Sequence, residues 1–242
     1  MMNDVETHYE TLLASRYVWM HGDFEARTRD ESALLQALGV GAGHGATAID
    51  LGCGPGYQSI ALARLGYRVT ALDSSARLLE DLRRASGTLP IAIVHGDLRD
   101  CARHVPLACG IAVCMGDTLT HLPSRETVRS LFRDLAAVLA PGARTVFTWR
   151  TLETELGGEE RFIPVRADTA RIMTCFLEYA PDCVRVHDLI HERDGATWTL
   201  HKSSYTKLRL PLAWVAAEMS AAGFEVETAR PGAVAALAAR RP

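Results

Sequence analysis

The sequence predicts an α/β protein: a doubly wound, mostly parallel sheet with helices on both sides and an added antiparallel β meander. Three observations predict it. Short apolar runs alternate with amphipathic helical patterns from residue 46 to 149, which is how strands buried on both faces read. After Arg150 the alternation stops, and longer strand-like runs follow, separated by Ala180-Pro181-Asp182 and Asp194-Gly195, as in consecutive antiparallel strands. The length of 242 residues fits one α/β domain and is enough to bury a core without disulfide or metal staples.

Each element has its own signals. The glycine-rich stretch Gly39–Gly45 separates a helical N-terminal segment from the first strand, Ala46–Leu51. Gln58–Leu65 reads as a helix closed by Gly66, a residue suited to the left-handed conformation at a helix end. Tyr67–Leu72 is the second strand. Ser75–Ala85 places Leu78, Leu79, Leu82 and Ala85 at helical spacing before Gly87. Ile91–Val94 and Gly110–Met115 are the third and fourth strands. Arg125–Leu139 carries Val128, Leu131, Phe132, Leu135 and Leu139 on one side, between Pro123-Ser124 and Pro141-Gly142. Arg144–Trp149 is the fifth strand.

Beyond it, Arg171–Tyr179, Val184–His191 and Trp198–Leu210 form the meander. In the last of these, Trp198, Leu200, Leu208 and Leu210 share one parity, and His201, Ser203, Lys207 and Arg209 the other. That pattern predicts a half-exposed strand with an apolar and a polar face. Leu212–Ala222 is a helix ended by Gly223, and Phe224–Thr228 a strand. The closing GAVAALAAR has helical propensity but is read as an antiparallel strand after the turn at Arg230-Pro231-Gly232. The expected organisation is a single domain over 1–242: a helical N-terminal segment (1–40), a core (45–150), the meander (161–210), and a final helix and strands (211–242).

Composition narrows the function. The net charge of −3 and the short pairs Arg83-Arg84 and Arg240-Arg241 argue against a nucleic-acid partner. No apolar stretch approaches the ~18 residues of a membrane span, and the polar N-terminus does not read as a signal peptide. The six cysteines have no CxxC pair, so they read as reduced thiols in a cytoplasmic protein, with no metal centre. On a strand, His187 and His191 stand about 13 Å apart, too far to share one ion.

The run Ala48-Ile-Asp-Leu-Gly-Cys-Gly-Pro-Gly56 carries the chemistry. A buried strand ends beside the acidic Asp50, and a loop of Gly52, Cys53, Gly54, Pro55 and Gly56 opens a helix. Its glycines permit a sharp turn and close approach of a ligand. Asp73 ends the second strand 21 residues after Gly52, where a carboxylate can accept both ribose hydroxyls of a nucleoside. A dinucleotide fingerprint would need glycine at position 57, which is Tyr57. The acid Asp50 also argues against a phosphate nearby. It suits organisation of the loop and the cationic amino group of a methionine-like tail.

With these residues the sequence resembles the class I S-adenosylmethionine-dependent methyltransferases, in particular their small-molecule type 11/25 branch. AIDLGCGPG looks like their first motif. VTALDSS, with Asp73 and Ser74, looks like the second. HGDL looks like the third and implies Asp97 and Leu98 beside the adenine. CMGDTLTHLP looks like the fourth and implies that Met115 and Gly116 line the site. The likeness is good over residues 45–150 and loose elsewhere. It implies a Rossmann-like seven-stranded sheet and an N-terminal helix folded over the cofactor, with Tyr17 first and Tyr9 second as the aromatic beside the sulfonium. It also implies methyl transfer by in-line displacement to an oxygen or nitrogen of a small-molecule acceptor, with S-adenosyl-L-homocysteine as product, by a monomer or homodimer.

His121 is the candidate base, since a histidine titrates near neutrality; packing at the start of the next helix is its other reading. Asp117 either faces the acceptor or caps a turn. Trp149 and Arg150, at the end of the fifth strand, are candidate acceptor contacts, Trp149 being equally compatible with the core. Two other functions fit the residues: a non-catalytic S-adenosylmethionine-binding module, and a nicotinamide-dependent oxidoreductase, which the glycine spacing disfavours.

Overall fold

The computed structural model describes residues 4–242. Its main sheet has seven strands: β1 (Thr47–Leu51), β2 (Arg68–Asp73), β3 (Ile91–His95), β4 (Ile111–Cys114), β5 (Arg144–Arg150), β10 (Glu225–Arg230) and β11 (Val234–Arg240). The spatial order is β10-β11-β5-β4-β1-β2-β3. β1 to β5 are mutually parallel, and β11 runs antiparallel to both neighbours. The order reverses between β1 and β4, so the carboxyl ends of those strands frame the crevice where such sheets bind ligands.

Both faces are covered, which is why the strands read as continuous apolar runs. Leu35 and Leu38, from α3 (Phe24–Ala37) and its end, and Ala61 to Ala63 of α4 (Tyr57–Arg64) pack on Ala48, Val69, Val113, Val146 and Ala238. On the opposite face α6 (Arg125–Val138) and α7 (Leu212–Ala221) pack Phe132, Leu135, Val215 and Met219 on Ile49, Ala112, Phe147, Trp149 and Leu237. α5 (Ala76–Ser86) covers Ala71 with Leu79 and Leu82. The alanine-rich terminus is the strand β11. Ladder bonds on both sides and two covered faces override its helical propensity.

A separate four-stranded antiparallel sheet contains β6 (Phe162–Ala167), β7 (Arg171–Tyr179), β8 (Cys183–Asp194) and β9 (Thr197–Leu208). β6 was not legible in the sequence. It is an edge strand with Pro164 beside a register shift, a place where proline is tolerated. The facing of β9 also differs from its apolar pattern. Trp198 and Leu200 are exposed, whereas Tyr205 and Lys207, on the other parity, are buried. Leu208 and Leu210 are covered because the chain leaves the sheet there and enters the main core. The covered face looks onto the N-terminal segment, which carries polar partners for it.

That segment comprises α1 (Asp4–His8), a π-helical turn (Tyr9–Leu13), a 3-10 turn and α2 (Tyr17–His21). Leu12 and Leu13 pack on Met173 and Ile190. His8 Nε2 lies 2.9 Å from Asp188 Oδ2, and Arg16 Nη2 donates to Glu192 Oε2 at 2.6 Å. The segment is thus tied into the antiparallel sheet, and deleting it would expose a core. No helix among the described residues is long and apolar enough to cross a membrane.

The glycine loop is braced from below. Ser59 Oγ, on α4, donates to the buried Asp50 Oδ2 at 2.6 Å, and burial pushes the Asp50 carboxyl up to about 7. Ser59→Ala is expected to lower stability by about 1–3 kcal/mol, since it strands a buried acceptor. Urea unfolding of the variant against the parent checks this.

Candidate active site

The loop after β1 turns because Gly52, Gly54 and Gly56 adopt φ of +71°, +53° and +96°. Gly52 N and Cys53 N both donate to Leu72 O, at 2.8 and 3.1 Å, which pins the loop to β2. A Cβ on Gly52 would stand 2.2 Å from Thr118 Cγ2, and one on Gly56 2.2 Å from Leu82 Cδ1. Asp73 closes the turn: Oδ2 accepts Gly54 N and Oδ1 accepts Ser75 N, each at 2.7 Å. Burial raises the Asp73 carboxyl, against the pull of these two N–H groups. A carboxylate has about four lone-pair sites, so two remain.

A cavity of about 640 Å³ opens at these strand ends. Of the residues expected to hold the cofactor, Tyr17, Gly52, Gly54, Asp73, Ser74, Asp97 and Leu98 line it. Asp50, Cys53, Pro55, Gly56 and Met115, expected at the cofactor, stand behind this wall. All five are buried and none lines this cavity. Asp50 faces Ser59, Cys53 packs with Ile60 and Leu79, Gly56 caps α4 against Leu82, and Met115 belongs to the core between sheet and α4. A motif marks the loop that shapes a wall, and only alternate residues of that loop face inward. Asp97 has two roles: it lies in the wall, and its Oδ1 accepts Arg99 N at 2.8 Å to cap the next turn.

A second cavity, of about 690 Å³, lies under the antiparallel sheet. Tyr9, Tyr17, Thr118 and His121 border both cavities. Gly116, Asp117 and Arg150 line the second one only. Trp149 lines neither: it is fully buried, and its Nε1 donates to Leu210 O at 2.8 Å. Thr148, the adjacent residue on the other face of β5, accepts Gly116 N at 2.8 Å and lines the second cavity.

Asp117 sits between two cations. Oδ1 accepts Arg150 N at 2.9 Å, and Oδ2 accepts Lys207 Nζ at 2.7 Å and the Arg150 guanidinium. Burial pushes this carboxyl up, but the charges of Lys207 and Arg150 win and hold it far below the usual carboxylate range. Such a group is a poor proton acceptor, and the geometry makes Asp117 an anchor for Lys207 and Arg150. His121 is enclosed by Tyr9 and Tyr205, with ring centroids at 5.8 and 5.6 Å. Its Nε2 is buried without a hydrogen-bond partner. Burial, and then the charge of Lys207, depress its pKa to about 3.

Sequence reasoning gave no role to Lys207, Asp188 or Arg27. The parity of β9 was the signal for Lys207: a lysine two positions from Tyr205 on one face. Arg27 and Glu31, paired at 2.5 Å, line the second cavity from α3. Each has a buried side-chain atom without a partner, Arg27 Nε and Glu31 Oε2.

The two cavity histidines set an acid limit. His21 is lowered to about 4 and His121 to about 3, both mainly by burial. Between those values and the unfolded ~6.5 the unfolded chain binds more protons. Their contribution to stability is therefore complete above about pH 6.5 and is lost as the pH falls toward 4 and 3. Denaturation midpoints of the parent and of His121→Asn, compared from about pH 7 to 4.5, should converge on acidification. A parent that loses no more than the variant would contradict this.

Residues 48–142 match the family described as methyltransferase domain. This segment, about two-fifths of the chain, is similar to a methyltransferase domain. Among curated proteins, the chain is 29% identical over 140 residues to the ubiquinone biosynthesis O-methyltransferase of Proteus mirabilis (strain HI4320), covering 56% of each. It is 33% identical over 101 residues to the glycine/sarcosine N-methyltransferase of Aphanothece halophytica, covering 40% of this chain and 37% of that one. The chain thus spans about half or less of these relatives' length. The crystal structure of Streptomyces venezuelae DesVI superposes with a TM-score of 0.74 at 19% identity over the whole of both chains. This likeness extends the common fold beyond the methyltransferase domain to the antiparallel sheet and the N-terminal segment.

Proposed function

We propose that this chain binds S-adenosyl-L-methionine in the first cavity and transfers its methyl group to an oxygen or nitrogen of a small molecule held in the second. The observation that carries the reading is the common border: two cavities, one walled by the glycine loop and Asp73, meet at Tyr9, Tyr17, Thr118 and His121. Residues 1–242 then act as one unit, in the cytoplasm, as monomer or homodimer.

The residues fit the cofactor. Asp73 has lone pairs left for the ribose hydroxyls, Gly52 and Gly54 leave room for close backbone approach, and Leu98 and Asp97 flank the base position. Bound there, S-adenosylmethionine supplies a methyl group activated on a sulfonium. Tyr17 and Tyr9 present π faces at the junction and stabilise a cation. An acceptor oxygen or nitrogen held at the common border would be aligned with that methyl group, and the proton it loses on methylation would pass to solvent. Alignment and exclusion of water are the protein's main contribution. His121, neutral with a free buried Nε2, orients the acceptor N–H or O–H as a hydrogen-bond acceptor. Its low basicity makes it a positioning group more than a proton carrier.

Incubation with S-adenosylmethionine and panels of amines, phenols and alcohols, read by mass spectrometry, should yield S-adenosylhomocysteine and a product 14 Da heavier (about the mass of a methylene). Tight cofactor binding without turnover on any panel would favour a non-catalytic module.

A further inference from the structure

The antiparallel sheet is covered on one face only. Met173, Leu177, Val186, Ile190 and Tyr205 occupy the covered face, toward the N-terminal segment and the second cavity. On the other face the ladder register aligns apolar side chains in successive cross-strand rows. One row holds Ile172 and Leu200, the next Leu189, and the next Phe162 and Phe176, while Trp198 stands at the end beyond Leu200. Phe162, Ile172, Trp198 and Leu200 are 55, 41, 42 and 44% exposed, four of the seven exposed large apolar side chains among the described residues. Single exposed apolar residues are ordinary, but a contiguous patch marks a contact surface.

The size of the face suits a second copy of the chain. Strands lie ~4.8 Å apart, and residues on one face recur every ~6.8 Å along a strand. Four strands and five rows then cover roughly 20 by 30 Å, on the order of 600 Å². Two such faces bury about 1,200 Å² in all, where stable interfaces begin. A two-fold contact also needs one patch that complements itself. Glu178 on β7 and Arg185 on β8 are exposed register partners in the row beyond Phe176. A two-fold axis along the strands, between β7 and β8, exchanges those strands and sets Glu178 over the partner's Arg185, twice. Apolar rows then meet apolar rows, as in aligned sheets stacked about 30° apart. Glu178 meets His187 Nε2 at 2.6 Å in its own chain through one oxygen and keeps the other. The remaining cations stand toward the margin: Arg161 stacks on Phe176 near one corner, Arg193 on Trp198 near the opposite corner, and Lys202 is on the edge strand β9. We propose that the outer face of β6 to β9 is a homodimer interface, with its two-fold axis running between β7 and β8. The contact buttresses the sheet over the second cavity and is independent of the methyltransferase reading.

Sedimentation of the full chain tests this. At tens of micromolar the mass is expected to be twice the 26.4 kDa of one chain. Leu200→Glu and Ile172→Glu place a charge in the apolar rows and should give monomers at the same concentration, with an unchanged circular dichroism spectrum. Glu178→Arg and Arg185→Glu should each weaken association about tenfold, since two ion pairs are lost at once. The two exchanges together should restore it. A monomeric parent overturns the proposal, as does a dimer that both Leu200→Glu and Ile172→Glu leave intact. Failure of the double exchange to restore association overturns the stated axis.

Discussion

Asp73→Ala is expected to weaken S-adenosylhomocysteine binding by about 1–3 kcal/mol, the worth of hydrogen bonds to a charged group, with the fold retained. Asp73 has two structural tasks, the bonds from Gly54 N and Ser75 N, and it lines the first cavity with lone-pair sites to spare. In the variant the N–H groups of the buried Gly54 and Ser75 lose their acceptor, so some stability is lost as well, while the ligand loses its ribose anchor. Calorimetric titration, with circular dichroism as the check on folding, separates the effects. Unchanged affinity would remove Asp73 from the cofactor site.

The second large effect is expected at Gly52. Alanine there must adopt φ near +71° and place a Cβ 2.2 Å from Thr118 Cγ2. The left-handed backbone alone costs about 1–2 kcal/mol, and the contact drives Thr118, which borders both cavities, out of place. Gly52→Ala should lower S-adenosylhomocysteine affinity by about a hundredfold, with a lower melting temperature. Adding Thr118→Ala relieves the contact but not the backbone strain. The double variant should therefore recover part of the loss, which is the coupling expected of touching residues. Wild-type affinity in Gly52→Ala alone would mean that the loop does not shape the ligand site.

The parallel core was legible because each of its strands is apolar through both parities and each helix is punctuated by glycine, proline or a capping serine. Ser75 and Ser124 cap α5 and α6 as their positions suggest. The antiparallel sheet was harder to read. Its covered face packs against the N-terminal segment and is partly polar, with Asp188 meeting His8 and Lys207 meeting Asp117. Hydrophobic patterning therefore pointed Trp198 and Leu200 the wrong way. The partners that bury those polar groups lie 180 and 90 residues distant, and a single sequence carries no local trace of such pairs. The same limit applies to the site. The glycine loop and Asp73 were visible from spacing, because a turn and a strand end are local features. The orientation of Asp50, Cys53 and Met115 away from the cavity is set by α4, α5 and the core behind them. Asp117 was visible as a polar residue after a strand, but its pairing with two cations, which decides its chemistry, comes from β5 and β9.

The central claim is that the cavity between the glycine loop, Asp73 and Asp97 is built for S-adenosylmethionine. Isothermal titration of the full chain with S-adenosylhomocysteine and, separately, with NADH tests it most directly. The structure predicts saturable binding of S-adenosylhomocysteine and none of NADH. Binding of NADH with no binding of S-adenosylhomocysteine would contradict the account.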